Sequence, residues 1–147
     1  MAKQFTLLNA QLEYAIEAER SLDCQDGTDP AVDIWLRDAE AAWSRVNITL
    51  AKVSTMPAEA AIDQVLVGVV KKAMALMATE TVFDFFGAYD ALRLGAFVRR
   101  IACKAHITAP VEAALETFEQ HLESIAGLDL YQPICNPEDL SLLLAEA

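Results

Sequence analysis

Tyr89, Asp90 and Arg93 stand within little more than one helical turn of one another in FDFFGAYDALRLGAFVRRIACKAH, residues 83–106, with Arg100 two turns beyond Arg93. A phenol, a carboxylate and two guanidiniums at helical spacing could line a small pocket and hold an anionic small molecule, with or without chemistry. Asp90 is the most suggestive of the four. It falls on an apolar line between Phe83 and Phe97, where a charge is costly unless paired or hydrogen-bonded. The plainer alternative makes Asp90 a helix N-cap or an ion-pair partner of Arg93, since caps are common and pockets few.

Other chemistries fare worse. Asp23, Asp26, Asp29 and Asp33 suggest a calcium loop, but with Gly27 at its sixth place the first and third ligand positions fall on Leu22 and Cys24. Those residues offer no side-chain oxygen, and the acids read better as punctuation between helices. A di-metal carboxylate site needs Glu-x-x-His, whereas Glu119 and His121 are two apart and on different helix faces. Cys103, His106, His121 and Cys135 have no recognisable zinc spacing. The chain lacks a nucleophile elbow, a phosphate-binding P-loop and a GxGxxG turn. No metal, cofactor or catalytic residue is therefore assigned.

Charge and composition bound the partners. The chain has 147 residues, a net charge of −11 and a pI near 4.4, so nucleic acid and anionic membranes repel it. The first twenty residues lack the apolar core and cleavage site of a signal peptide. Residues 62–78 are apolar but carry Asp63, Lys71 and Lys72, and fall short of the ~20 uncharged residues a membrane span needs. Three cysteines without a CxxC read as reduced thiols, the pattern of a cytoplasmic protein.

The elements that must position these residues are helical throughout. Few glycines and prolines and an apolar composition predict an all-α chain, a single domain over residues 1–147. Periodicity predicts a bundle of five to six helices, mostly antiparallel. The first covers residues 3–22, with Phe5, Leu8, Leu12, Ala15 and Glu19 in line. Asp29-Pro30 opens the second, whose seam of Val32, Leu36, Ala39, Trp43, Val46, Leu50 and Val53 repeats in steps of four and three. Pro57 starts the third, seamed by Ile62, Leu66, Val69, Ala73 and Leu76.

That rhythm continues through Glu80, Phe83, Gly87, Asp90, Leu94, Phe97 and Ile101. One unbroken helix from residue 57 to 105 would be about 70 Å long, too long for a compact domain. A break is expected, either at Thr81 with Asp84 three residues on, or at Gly87 with Asp90 as the next cap. The first is preferred because it makes the helices similar in length. A fifth helix, opened by Thr108-Ala109-Pro110, carries Val111, Leu115, Phe118, Leu122 and Ile125 and closes at Gly127. Asn136-Pro137 starts a sixth over residues 137–145.

The fourth helix has a second apolar line, Phe85, Leu92, Ala96 and Cys103, opposite the continued seam. A helix apolar on two faces is central or covered by a partner. Phe85, Leu92 and Ala96 are therefore the expected interface of a homodimer, with Gly87, Ala91 and Gly95 allowing close backbone approach. The leading functional expectation is a non-catalytic interaction or regulatory module; the alternative is the anion pocket at Tyr89, Asp90, Arg93 and Arg100. Helical geometry also places the cations Arg93, Arg100 and Lys104 on the same side of the hairpin as Glu112, Glu116, Glu119 and Glu123. Only one of the two stripes then fits the groove between the helices, and the glutamates are expected to be solvated.

Overall fold

The structure, a computed structural model, describes residues 1–23, 28–103 and 107–128, with the backbone alone described for 95–103. These residues form five α-helices: α1 (Ala2–Asp23), α2 (Val32–Ser54), α3 (Ala61–Met77), α4 (Val82–Cys103) and α5 (Ala109–Ala126). The chain is an all-α helical bundle, as its periodicity requires. The sixth helix expected over 137–145 lies outside the described residues, as do Lys104, His106, Cys24 and Cys135.

Local chemistry sets the helix ends. The Asp29 carboxylate accepts the Ala31 N–H at 2.8 Å, so it does punctuate the chain, but α2 proper begins at Val32. Helix α3 starts at Ala61 rather than Pro57, where the Asp63 carboxylate reaches back to the Ala60 N–H at 3.5 Å. The break between α3 and α4 falls at Thr81. Its hydroxyl accepts the Asp84 N–H at 3.0 Å and donates to the Asp84 carboxylate at 2.7 Å. One orphan N–H of the first turn is thereby satisfied, and a carboxylate stands at the positive end of the helix dipole. Thr108, with extended backbone, and Pro110 in the first turn open α5.

The helices close into a ring. Helix α1 packs on α2 and α5, α2 on α3, α3 on α4, and, among the described residues, α4 meets α5 more lightly than any other neighbouring pair. Four helices send most of their seams inward: Phe5, Leu8 and Leu12 from α1, Val46, Leu50 and Val53 from α2, Leu66, Val70 and Leu76 from α3, Phe118 and Ile125 from α5, while Leu36 at the start of the α2 seam is exposed. Full burial of each such side chain contributes about 1.5–3 kcal/mol relative to exposure.

Polar clasps fix the α1 contacts. The Trp43 indole N–H donates to the Glu19 carboxylate at 3.0 Å, which explains a glutamate on the α1 seam. The Asn9 amide donates to the Ala114 carbonyl at 2.9 Å, tying α1 to α5.

Helix α4 turns the opposite way from its expected seam. Phe85 and Leu92, assigned to a subunit interface, are 0% and 3% exposed and belong to the core of one chain. Phe83 and Leu94, assigned to the core, are 88% and 67% exposed. The side chain of Ala96 lies outside the described residues. The inward face carries more apolar surface, with Phe85, Tyr89 and Leu92 buried and Phe86 packed beside them, against Phe83 and Leu94 on the outer line. Asp90 adds to the preference. The Phe83–Leu94 line would bury its carboxylate unpaired, at several kcal/mol, whereas the line of Phe85 and Leu92 carries no charge. Asp90 accordingly sits in mid-helix, exposed, neither a cap nor a buried ion.

Candidate functional site

Where the ring is least closed, a cleft of ≈ 590 Å³ opens between α4 and α5. Its floor is apolar and almost fully buried: Val69 of α3, Leu92 of α4 and Leu122 of α5. Tyr89, Asp90, Arg93 and Leu94 form the α4 wall; Glu116, Glu119, Gln120 and Glu123 form the α5 wall. The volume lies within the ordinary range of ligand pockets, about 300–1,000 Å³.

Tyr89 anchors the α4 wall. Its ring is buried and stacks on Phe85, with centroids 6.3 Å apart and planes 6° from parallel. The Arg93 guanidinium lies 5.7 Å from the Tyr89 ring centre, a cation–π contact. Burial, then the Glu123 carboxylate and, less strongly, Asp90 push the Tyr89 phenol above its ordinary value, with Arg93 opposing. At neutral pH Tyr89 is thus a phenol and hydrogen-bond donor, not a phenolate base.

Three residues singled out in sequence, Tyr89, Asp90 and Arg93, are brought together here. Arg100 belongs to α4, but its side chain lies outside the described residues. The α5 wall was missed as part of a site, although its glutamates were read as a stripe. Glu116 and Glu123 are exposed, as expected, and among the described residues neither forms an ion pair within 4.0 Å of Arg93. Of the cation stripe only the Arg93 side chain is described, and it lines the same cleft as Glu116, Glu119 and Glu123; the Arg100 side chain and Lys104, which complete the stripe, lie outside the described residues. Turning Phe85 inward brings Arg93 toward α5, and the light α4–α5 contact leaves room for both walls.

The charge of the lining also differs from what an anion needs. Four carboxylates, Asp90, Glu116, Glu119 and Glu123, face one described guanidinium, Arg93. Among the described residues no group of three or more His, Cys, Asp and Glu side chains is arranged to hold a metal, and no helix is long and apolar enough to cross a membrane.

On the far side of α5, His121 is half-buried. Burial holds its imidazole below the ordinary value, and the Glu13 carboxylate of α1 partly opposes this. The folded chain therefore binds this proton less readily than the unfolded chain. The contribution to stability is complete above the unfolded value of about 6.5 and is lost as pH falls from there toward the folded value. Thermal melts at several pH values across that window should show wild type losing stability relative to His121→Gln. A constant gap between the two proteins would show that the imidazole is not held neutral by the fold.

Comparison with protein-family models, with curated proteins and with solved structures finds no match.

Proposed function

We propose that the protein is a non-catalytic helical interaction module that acts as a homodimer through the outer line of α4. The observation carrying this reading is the exposure of Phe83 and Leu94 on a helix whose other apolar face is already used by the core. A β-carbon added at Gly87, between them, would meet nothing within 4 Å, so no described element of the same chain uses the approach its small size allows. An antiparallel pairing of α4 with its own copy, centred between residues 88 and 89, sets Phe83 opposite Leu94 of the second copy and Asp90 opposite Gly87, whose missing side chain leaves the carboxylate open to water rather than buried unpaired. That is the self-complementarity an isologous contact needs. The Tyr89 phenol, held protonated, fits a recognition surface better than a catalytic base.

The net charge of −11 opposes association of two copies, so screening by salt should strengthen the dimer. Size-exclusion chromatography with light scattering tests the reading directly. Wild type is expected to run as a dimer whose affinity rises with salt, and Phe83→Glu as a folded monomer with an unchanged helical circular dichroism spectrum. A wild-type protein monomeric at every concentration and salt would remove the homodimer.

A further inference from the structure

We infer that the α4–α5 cleft binds a basic, amphipathic helical segment of a partner protein, its cations against Asp90, Glu116 and Glu123 and its apolar side chains on Leu92 and Leu122. The sign follows from Asp90, Glu116 and Glu123, which stand against Arg93, the one described cation of the lining, and from the net charge of −11 of the chain. An acidic rim alone would attract any cation; the floor narrows the class. Val69, Leu92 and Leu122 present buried apolar surface below the carboxylates, and Leu94 stands exposed at the lip. A Lys or Arg side chain matches both, with an apolar stem and a charged head.

Arg93 adds a second observation. Its guanidinium lies 5.7 Å from the centre of the Tyr89 ring, four residues earlier on α4, so the α4 wall offers a cation an aromatic face. Arg93 is itself exposed and, among the described residues, makes no ion pair with Glu116 or Glu123. It acts as a resident placeholder that an incoming cation displaces. The α5 wall from Glu116 to Glu123 runs about 10 Å along the helix axis, two turns, the reach of a docked helix with anchors at i, i+3, i+4 and i+7. The inference goes beyond self-association and does not depend on it.

The test uses a fluorescent Leu/Lys peptide of about 14 residues with leucines at helical spacing, and its Leu/Glu counterpart. Anisotropy is read with wild type and with Phe83→Glu, whose substitution lies outside the cleft lining and removes any competition from dimerisation. Saturable binding of the Leu/Lys peptide alone is expected with both proteins. Asp90→Asn, Glu116→Gln and Glu123→Gln together should weaken it about tenfold or more. Arg93→Ala should tighten it. A control that removes three charges elsewhere, Glu17→Gln, Asp38→Asn and Glu40→Gln, should leave the affinity nearly unchanged. The inference is overturned by absence of binding, by equal weakening in both triple variants, by loss of binding in Arg93→Ala, or by binding of the Leu/Glu peptide. Displacement of the Leu/Lys peptide by spermine at matched concentration would also overturn it, since spermine carries the charge without an apolar face.

Discussion

Leu92→Glu is expected to abolish cooperative unfolding, whereas Leu94→Glu, two residues on, leaves it in place. Leu92 is 3% exposed and packed in the core shared by all five helices. A glutamate there loses a buried leucine and places a carboxylate where no described cation is buried with it. The cavity alone costs about 2–5 kcal/mol, and the unpaired charge adds several more. Against a total stability of about 5–15 kcal/mol, the sum leaves little or nothing. Leu94 is 67% exposed at the lip of the cleft, and in the monomeric Phe83→Glu background a charge there should change stability by no more than about 0.5 kcal/mol. Urea titrations followed by circular dichroism read both. Had Leu92 faced a second subunit, Leu92→Glu would yield a folded monomer. That outcome would show that α4 is turned the other way, and equal damage from both substitutions would show that both faces are covered.

Phe5→Ala and Phe118→Ala should each cost about 3–5 kcal/mol, and together less than their sum. The two rings meet with centroids 5.2 Å apart and planes tilted by 44°, Phe5 from α1 and Phe118 from α5. Both are 1% exposed. The contact joins the first and last described helices and so closes the ring on the side away from the cleft. Aromatic pairs contribute about 0.5–1.5 kcal/mol beyond their area, which is the expected shortfall from additivity in a double-mutant cycle. Strict additivity would mean that the rings fill separate parts of the core and that α1 and α5 are held together elsewhere. The Asn9 bond to the Ala114 carbonyl would then be the first contact to remove.

The helices themselves were legible in sequence because their causes are local. Phe5, Leu8, Leu12 and Ala15 recur at helical spacing in one helix, as do Leu66, Val69, Ala73 and Leu76 in another, and all eight are buried. Thr81 and Asp84 mark a helix start by a contact that spans three residues. Tyr89, Asp90 and Arg93 could be grouped as a site because one helix carries all three on adjoining faces.

The facing of α4 was not legible from rhythm. The four-three repeat of α3 continues in sequence through residues 78–81, but those residues are not helical, and a break discards the rotational phase that the repeat measures. Two apolar lines then remained on α4, and the choice between them fell to the larger apolar surface of Phe85, Phe86, Tyr89 and Leu92 and to the cost of burying Asp90. Both terms were visible in the sequence, yet they decide nothing until a core exists to take one face and exclude the carboxylate. The acidic wall of the cleft likewise needed α5 to be placed beside α4, because Glu116 and Glu123 are far from Asp90 along the chain. Short-range spacing and capping chemistry thus determined where this protein is helical. Which face of α4 is buried, and the charge of the cleft beside it, were decided only by packing, where desolvation weighs one face against another.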